Sequence, residues 1–380
     1  MHLLFINYEY PPIGAGAATA TAEMARSAAR LGHEVTVLTS GFRDNFGWSH
    51  DGEVTVRRVR SRRERVDQSS IGEMASFVMR AALVLPGVVR RSRAQACIVY
   101  FSMPCGPLGT LFRLLSGGPY VVSLRGGDVP GTEPQLLGLH RWLKPVRRFV
   151  LSRALAVVAN SPGLATLSER ADPIAVKFIP NGVDLERFRP SAQRPPEPFH
   201  FLFVGRLNEQ KNVGVLLEAV AELSRTTALP FRVSIVGDGP LRGSLRQRAS
   251  VLGLDALVDW VQWLPREQMP ALYRSAHCVI NPSRYEGMPN VVLEAMACAI
   301  PVIVSDVAGN RDLVENGKNG FVVPCDSPGE LKQAMALALG DQPGLEILGA
   351  GARRCAERHS WDAATVQYID LLARGLKSAT

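Results

Sequence analysis

This sequence of 380 residues lacks the cysteine patterns that indicate a zinc site or a disulfide framework. The six cysteines (97, 105, 278, 298, 325 and 355) form no Cys-x-x-Cys pair and no Cys/His ligand spacing. Zinc sites and disulfide frameworks depend on such spacings, so the pattern argues against both and predicts reduced thiols. The sequence also lacks a low-complexity tract and a repeat of short period, which argues against a repeat architecture.

Secretory and membrane-spanning signals are missing as well. The first residues, MHLLFINYEYPP, have no basic region before them and no cleavage site after them, so they predict a buried strand rather than a signal peptide. The most membrane-like stretch, residues 74–89, is short for a bilayer span and contains Arg80 and Pro86. These features predict a cytoplasmic protein.

Acidic residues are scarce in the first half of the chain, where residues 1–190 hold 24 Lys and Arg against 15 Asp and Glu. Arginine clusters lie at 57–65, at 90–93 and between Arg141 and Arg153. Such clusters suit a polyanion or an anionic membrane surface, and a solvated arginine-rich face explains them equally well. Because aromatic interleaving and zinc-finger spacing are absent, nucleic acid is not a predicted partner.

Two domains account for the length and the pattern of the chain. Apolar strand-like runs alternate with helical stretches over residues 1–190, and the alternation restarts after a proline-rich stretch at 187–200. This pattern predicts an α/β fold of two Rossmann-like, doubly wound domains facing a cleft. The predicted ranges are 1–190, 191–361, and a closing helix over 362–380 that packs back toward the first domain.

A candidate anion site lies in the stretch VGRLNEQKN. Gly205 and Arg206 follow a predicted strand, and Lys211 comes just before a helix. Two cations at a strand end beside a helix N-terminus favour phosphate binding. Arg206 taken alone is equally compatible with an ordinary surface position.

Two glutamates, Glu286 and Glu294, bracket an otherwise small or apolar run in SRYEGMPNVVLEAMACAIPVIVS. A helix predicted to start near Pro289 puts Glu286 in the preceding loop and Glu294 one turn inside. The amides of Gly287 and Met288 then lie at the helix N-terminus, on the side of the sheet that holds ligands. In the structural alternative, Glu286 complements the helix dipole and Glu294 pairs with a nearby base.

In their order along the chain, these motifs resemble the retaining glycosyltransferases of GT-B family four. The resemblance rests on Gly205-Arg206-Leu207 with Lys211, and on Glu286 and Glu294 separated by seven residues. It also includes PNGVD before the linker, NGKNGFVVP, and HSWDAATVQY in the closing helix. Each motif is weak by itself, but the combination is specific and spans nearly the whole chain.

The resemblance implies a donor site for a nucleotide-diphosphate sugar, with a UDP-sugar favoured, in the second domain. Arg206 and Lys211 would contact the diphosphate and stabilise its departure, and Glu286 is the third predicted catalytic residue. Glu286 would hold hydroxyls of the donor sugar, and Glu294 those of the ribose. The further donor-binding candidates are Gly14, Gly16, Gly205, Gly287, Met288, Pro289 and Asn290.

The resemblance also implies that the first domain binds the acceptor. PPIGAG is similar to the glycine-rich loop of the family, although Ala15 separates two glycines that are usually adjacent. SLRGGD falls where many relatives have His-Gly-x-Asp, which makes Arg125, Gly126 and Asp128 the acceptor-side candidates. Arginine only donates hydrogen bonds and stays charged, which argues against a role that needs histidine.

No cofactor and no metal site are predicted, because the sequence has no Asp-x-Asp pair and resembles metal-independent transferases. Retention in this family has no agreed protein nucleophile, and none is assigned. The expected acceptor is a glycan or a polyprenyl-diphosphate-linked glycan of bacterial cell-surface polysaccharide biosynthesis. The basic first domain then places the protein peripherally at the inner face of the membrane.

Three alternatives share parts of this pattern. An NAD(P)-dependent oxidoreductase would need a third glycine in the loop GAGAAT, and an acid where the second strand reads Leu38-Thr39-Ser40. A sugar-nucleotide epimerase or hydrolase has the same fold, and donor hydrolysis with no gain from an acceptor would identify it. A non-catalytic binding protein is disfavoured because the four charged candidates of the donor site are all present.

Overall fold

A computed structural model describes residues 1–14, 16–64, 69–132, 136–191 and 197–377. The chain forms two compact units: Met1–Gly182 together with the C-terminal segment from Trp361, and Val183–Ser360. The sequence predicts the first boundary after residue 190, but the structure has it at Gly182. The reason is that Val183 and Phe188 are already buried in the core of the second unit.

Unit 1 contains an eight-stranded sheet in the order β3-β4-β2-β1-β5-β6-β7-β8. All pairs are parallel except β3 with β4, which is antiparallel at one edge. Every residue of β5 and β6 is buried, as expected for parallel strands covered on both faces. The strands are β1 (His2–Ile6), β2 (Glu34–Ser40), β3 (Gly47–Asp51), β4 (Val54–Val59), β5 (Ala96–Tyr100), β6 (Tyr120–Leu124), β7 (Ala156–Ala159) and β8 (Val176–Phe178). The helices that follow them are α1 (Gly16–Arg30), α2 (Ile71–Ser92), α3 (Gly106–Ser116), α4 (Leu137–Arg153) and α5 (Pro162–Ala171).

Unit 2 contains a six-stranded parallel sheet in the order β11-β10-β9-β12-β13-β14. The strands are β9 (Phe199–Val204), β10 (Phe231–Val236), β11 (Val258–Val261), β12 (Cys278–Asn281), β13 (Val302–Ser305) and β14 (Gly320–Val323). The helices are α6 (Val213–Thr226), α7 (Arg242–Val251), α8 (Met269–Arg274), α9 (Asn290–Ala297), α10 (Ala308–Arg311), α11 (Pro328–Gly340) and α12 (Gln342–Ala356). Short 3₁₀ turns at Glu209–Lys211 and Arg266–Gln268 precede α6 and α8.

The final helix, α13 (Trp361–Lys377), belongs to unit 1. Its Trp361, Tyr368 and Leu372 are buried in the same core as residues of α1, β1 and β5. The Tyr368 hydroxyl lies 2.7 Å from Ser123 Oγ on β6. The last helix therefore completes the core of the unit in which the chain begins.

Helix α2 is the one helix of the described residues that is long and apolar enough to cross a membrane, by length and composition alone. Core helices pass the same test, and α2 contributes Phe77, Ala81 and Leu85 to the core of unit 1. A capping box between Ser70 and Glu73 fixes its first turn. One face of α2 therefore packs into the core of unit 1, while Ile71, Met79 and Leu83 are exposed.

The arginine-rich run at 57–65 is only partly exposed over its described part, where Arg60 and Arg62 face solvent. Arg58 and Arg63 are buried. Arg58 donates to Ser49 Oγ at 2.6 Å and to the carbonyl of Pro11 at 3.0 Å, and Arg63 pairs with Glu9 at 3.5 Å. Two of these arginines therefore hold loops of unit 1 together.

Helix α4 is anchored to unit 1 by a buried ion pair. Arg147 Nε donates to Asp172 Oδ2 at 2.7 Å, and the two side chains are 3% and 1% exposed. Arg147 Nη1 and Asp172 Oδ1 have no hydrogen-bond partner among the residues that the structure covers. Each charge is therefore compensated mainly by the other, and removing one leaves a buried charge without a counterion.

Replacing Asp172 with alanine should destabilise the packing of α4 by about 3–5 kcal/mol, because Arg147 stays buried without its partner. Amide hydrogen exchange in α4 and α5 measures this locally, which suits a chain with two units. The Glu315→Ala variant is the control, since Glu315 pairs with Lys318 on the exposed surface of unit 2. A double variant, Arg147→Leu with Asp172→Leu, should recover most of the loss. An equal loss in the double variant would contradict the role given to the buried charge.

Candidate active site

The predicted donor-site residues of unit 2 lie on the segments that follow β9 and β12, whereas Gly14 and Gly16 belong to unit 1. These strands are parallel neighbours in register, with Cys278 beside Phe201 and Val279 beside Leu202. Their carboxyl ends therefore lie at the same edge of the sheet, where ligands bind in such folds. The segment with Gly205, Arg206 and Lys211 follows β9, and the segment with Glu286 follows β12.

Main-chain hydrogen bonds join the two segments. The Arg284 amide donates to the carbonyl of Gln210 at 2.8 Å, and Gln210 Nε2 donates to the carbonyl of Tyr285 at 3.0 Å. Asn212 Nδ2 donates to the carbonyl of Pro282 at 3.3 Å and to Asp326 Oδ1 at 3.0 Å. The residues around Lys211 and Glu286 are thus held in one register.

Lys211 and Glu286 form an ion pair. Lys211 Nζ lies 2.5 Å from Glu286 Oε1, and the side chains are 15% and 7% exposed. Asn281 Nδ2 donates to the same Glu286 oxygen at 3.3 Å. The pairing compensates two charges that would be costly to bury separately. It also puts a cation and a hydrogen-bonding carboxylate side by side, as a phosphate next to a sugar hydroxyl would require.

A buried network of side-chain amides and hydroxyls is hydrogen-bonded to Asn281, which donates to Glu286. Asn281 Nδ2 also donates to Asn310 Oδ1 at 3.2 Å, and Ser283 Oγ donates to Asn281 Oδ1 at 2.7 Å. Asn310 Nδ2 donates to the carbonyl of Ser305 at 2.9 Å, and Ser305 Oγ donates to the carbonyl of Ser283. All four side chains are buried and hydrogen-bonded to one another, and such a network fixes a single arrangement.

Gly205 lies against the end of β10. A Cβ atom on Gly237, whose φ is +145°, would come within 1.9 Å of the carbonyl oxygen of Gly205. The Gly205 amide donates to the carbonyl of Val236, and the Leu207 amide to that of Asp238. The partly exposed side chain of Arg206 follows directly after this close approach.

The turn Gly287–Asn290 packs against α10. A Cβ atom on Gly309 would come within 2.1 Å of the carbonyl oxygen of Gly287 and 2.7 Å of that of Glu286. Helix α9 begins at Asn290, with Pro289 as its N-cap residue and Met288 buried. The absence of a side chain at position 309 therefore lets the backbone that carries Glu286 reach its position.

Glu294 lies inside α9, where its carboxylate has a fixed partner. Tyr273, in α8, donates its hydroxyl to Glu294 Oε2 at 2.8 Å. Burial, together with the charge of Glu294, raises the pKa of Tyr273 well above its usual range, so the phenol stays protonated and remains a donor. Glu286 is held by Lys211 and Asn281, so the two glutamates have separate supports.

The acceptor-side candidates lie in unit 1, after β6. Asp128 is buried and accepts from the Ser102 amide at 2.6 Å and from the Arg125 and Gly126 amides at 3.0 and 3.2 Å. Burial raises the pKa of Asp128 above its usual value, while hydrogen bonds from these amides oppose that shift. Asp128 Oδ1 therefore holds the loop that carries Arg125 and Gly126, and Oδ2 ties that loop to Ser102 after β5.

Arg125 lies between aromatic and polar partners of unit 1. Its guanidinium carbon is 4.8 Å from the centroid of the Tyr100 ring, and Nη1 donates to Asn181 Oδ1 at 2.7 Å. Arg125 thus contributes a permanent positive charge beside the end of β5, and links the β6 loop to the PNGVD motif.

In the glycine-rich loop of unit 1, Gly14 lies close to the buried side chain of Glu9. Gly14 has a φ of +93°, and a Cβ atom there would come within 2.7 Å of Glu9 Cβ and Oε2. Gly16 is the first residue of α1, and Ala15 between them lies outside the described residues. Gly14 therefore permits a backbone conformation and a contact with Glu9 that other residues would not.

Sequence reasoning missed the residues that support the predicted ones. Tyr273, Asn281 and Gly309 contact the glutamates or their backbone, and Asn310 bonds Asn281, yet none belongs to the motifs that carried the predictions. A polar residue at the carboxyl end of an apolar strand, as in HCVIN, is the one signal that could have pointed to Asn281. Among the described residues, no group of three or more His, Cys, Asp or Glu side chains could hold a metal ion. Metal independence stays a prediction.

Replacing Gly309 with alanine should displace the backbone of Glu286 and Gly287, because a Cβ atom has no room there. A misplacement of about 1 Å lowers reaction rates about 100-fold, so we expect a loss of that size in the sugar transfer implied by the resemblance. Gly243→Ala is the matched control, since no atom lies within 4 Å of its Cβ position. Turnover equal to that of the unsubstituted chain would show that the turn tolerates the added methyl group.

Two family models match the chain in succession. The model described as Glycosyltransferase Family 4 matches residues 14–187, and that described as Glycosyl transferases group 1 matches residues 184–355. Together they cover the segments that hold the acceptor-side and donor-side candidates.

Curated proteins with similar sequences are also named as glycosyltransferases. A D-inositol 3-phosphate glycosyltransferase from Streptomyces bingchenggensis is 30% identical over 275 residues, which are 67% of this chain and 59% of that protein. A UDP-Gal:alpha-D-GlcNAc-diphosphoundecaprenol alpha-1,3-galactosyltransferase from Escherichia coli is 29% identical over 266 residues, 66% of this chain and 68% of that protein. The chain spans less than two thirds of the length of the Streptomyces relative.

Solved structures establish the fold. Sucrose-phosphate synthase from Thermosynechococcus elongatus has a TM-score of 0.86 at 21% identity, covering 100% of this chain and 99% of that one. A complex of HepE from Anabaena with UDP has a TM-score of 0.74 at 20% identity, covering 98% and 100%. The fold class is GT-B, as the sequence predicts. With both family models matched along its length, the chain belongs to glycosyltransferase family 4.

Proposed function

We propose that this chain is a metal-independent, retaining glycosyltransferase. It would move a hexosyl group from a nucleotide-diphosphate sugar to a glycan or lipid-linked acceptor in bacterial cell-surface polysaccharide biosynthesis. The observation that carries the proposal is the Lys211–Glu286 pair at the ends of β9 and β12. It combines a cation for the donor phosphates with a carboxylate for the sugar hydroxyls, in a chain of family 4.

The leaving group determines what the cations do. When the bond from the sugar C1 to the diphosphate oxygen breaks, negative charge grows on that oxygen, and Arg206 and Lys211 stabilise it. The acceptor oxygen then bonds to C1 from the same face, and the leaving phosphate takes the acceptor's proton. No protein nucleophile is needed for this front-face substitution, and none is assigned. Glu286 holds the donor sugar in place while the bonds exchange.

A UDP-sugar is the favoured donor. The Escherichia coli relative is named for UDP-Gal, and the Anabaena structure contains UDP. In the proposed binding mode, Glu294 accepts from the ribose hydroxyls, and the turn Gly287–Asn290 adds contacts to the donor. Gly14 and Gly16 of unit 1 would let backbone approach the donor phosphates.

An anionic acceptor fits unit 1 best. The two relatives described above are named for a phosphorylated inositol and for a diphosphoundecaprenol-linked sugar, and both of those compounds carry phosphate. Arg125 places a permanent positive charge at the end of β6, beside Gly126 and Asp128. A polyprenyl-diphosphate acceptor would explain this charge and would require access to a membrane.

The outer side of α4 is the surface that we assign to an anionic membrane. Its 17 residues include no acid. Trp142, Val146 and Phe149 are exposed at a spacing that puts them on one stripe, with Trp142 77% exposed. Exposed Arg141 and Arg148 lie along an adjacent stripe. Aromatic and basic stripes on one helix suit the headgroup region of an anionic bilayer. The chain would then act as a peripheral protein at the inner, cytoplasmic face of the membrane.

The runner-up is a sugar-nucleotide epimerase or hydrolase of the same fold. It would use the same donor contacts, so the Lys211–Glu286 pair does not separate the two. Donor consumption that is independent of any acceptor would favour it. The oxidoreductase alternative has no support in the family assignment.

Replacing Lys211 with alanine should lower kcat about 100- to 1,000-fold, the usual loss when one preorganised donor to a developing anion is removed. Release of the nucleoside diphosphate measures the rate, and circular dichroism checks the fold. The Lys211→Arg variant keeps the charge and should retain more activity.

The matched control is Lys318→Ala, which removes a lysine that is ion-paired with Glu315 on the exposed surface of unit 2. It should leave kcat unchanged. If Lys211→Ala turned over the donor as fast as the control, the phosphate assignment of Lys211 would be wrong.

Binding to vesicles that contain phosphatidylglycerol should depend on α4. Each basic residue near such a surface contributes about 1 kcal/mol, so Arg141→Ser with Arg148→Ser should weaken binding about 30-fold at low salt. Trp142→Ser should weaken it as well, through lost insertion into the headgroup region. Sedimentation with phosphatidylglycerol and with pure phosphatidylcholine vesicles gives the measurement.

Trp263→Ser is the control for the tryptophan, because Trp263 is also exposed but lies in unit 2. It should leave vesicle binding unchanged. Equal sedimentation with both kinds of vesicle, or an unaltered affinity in the α4 variants, would contradict this surface.

A further inference from the structure

Tyr273 lies outside every motif that identifies the donor site, yet its hydroxyl contacts one of the predicted ligands. The residue is fully buried in α8, and the Phe188 ring packs on it edge-on, with the ring centroids 5.9 Å apart. Its hydroxyl reaches Glu294 Oε2 at 2.8 Å. The ring is fixed by its packing, so the hydroxyl occupies one position.

The hydroxyls of other buried tyrosines contact groups outside the predicted donor site, and one of them, Tyr10, also donates to a carboxylate, Asp51 Oδ2 at 2.7 Å. Tyr120 donates to the main-chain carbonyl of Val150 at 2.6 Å, and Tyr368 pairs with Ser123 on a neighbouring strand. Tyr273 instead donates to the carboxylate that is predicted to bind the donor ribose. A hydrogen bond to a charged acceptor is stronger than one to a neutral carbonyl, and it restricts the acceptor more firmly.

Glutamate is a flexible ligand unless something orients it. A carboxylate has about four acceptor positions on its two oxygens, so Glu294 can accept other hydrogen bonds besides the one that Tyr273 donates. The bond fixes the plane of the carboxylate, which determines where a ribose hydroxyl must lie to donate. Glu286 has this kind of support from Asn281, and Tyr273 gives it to Glu294.

We propose that Tyr273 is a positioning residue that makes the donor site selective for ribose, by holding the Glu294 carboxylate where both ribose hydroxyls can donate to it. The proposal rests on the donor role of Glu294 given under the proposed function. Tyr273 does not touch the donor; it acts only through Glu294.

The test is the ratio between the affinity for a nucleoside diphosphate and the affinity for its 2′,3′-dideoxy form. A thermal-shift screen of UDP, GDP and ADP first identifies the nucleotide that stabilises the protein most. Calorimetry then compares that diphosphate with its 2′,3′-dideoxy form for the unsubstituted chain, Tyr273→Phe, Glu294→Gln and Tyr120→Phe. Tyr120→Phe is the matched control, because it also removes a buried hydroxyl with a hydrogen bond, but in unit 1.

The Tyr273→Phe variant should bind the ribose form about tenfold more weakly, because it has lost the hydrogen bond to Glu294. The affinity for the dideoxy form should stay nearly constant, so that selectivity for ribose falls by the same factor. Glu294→Gln should lower selectivity at least as much, and Tyr120→Phe should leave it unchanged. A buried tyrosine of purely structural importance would weaken both ligands equally, so the ratio separates the two roles.

The possible failures are distinguishable. If Glu294→Gln loses ribose selectivity and Tyr273→Phe keeps it, the positioning role is wrong and the donor role of Glu294 stands. If Tyr273→Phe weakens both nucleotides alike, the residue is structural and the inference is overturned. If the unsubstituted chain binds no nucleotide, or does not distinguish ribose from dideoxyribose, the inference falls together with the ribose assignment of Glu294.

Discussion

The ion pair between Lys211 and Glu286 joins the segments that follow β9 and β12, which form the proposed donor site. Each side chain is mostly buried, so each would be costly without the other, and the segments that carry them must come together. The hydrogen bonds of Gln210 and Arg284 keep these segments in register, and the network beneath Asn281 limits where the carboxylate can go. In the proposed function, a donor phosphate would compete with Glu286 for a lysine that is already oriented.

The order of the strands explains how two short segments can form the candidate site. Because β9 and β12 are central, parallel neighbours, their ends deliver both segments to one edge without a long insertion. Glycine lets backbone come close to backbone at two places, Gly237 against Gly205 and Gly309 against Gly287. The catalytic candidates are therefore placed by strand ends and close main-chain contacts.

The sequence predicted the parts of this structure that depend on local pattern. Apolar runs such as β5 and β6, and the candidates Lys211 and Glu286, lie where periodicity and motif put them. The supports of the glutamates were not predictable, because Tyr273 reaches Glu294, and Asn310 reaches Asn281, through tertiary contacts. Charge counts located the basic clusters but could not show which arginines are buried: Arg58, Arg63 and Arg147 are, whereas Arg141 and Arg148 are exposed. Helix α12 was missed as well, in a stretch where three glycines weaken the helical signal.

Helix α13 has a consequence for how the protein is made. Its side chains complete the core of unit 1, yet they are encoded after all of unit 2. A ribosome delivers the chain from its N-terminus, and domains generally fold as they emerge. The first unit to emerge must therefore wait with an open core until the last helix is translated, while the second can finish before it. A nascent chain of this protein would expose the apolar surface that α13 covers while the whole of unit 2 is synthesised.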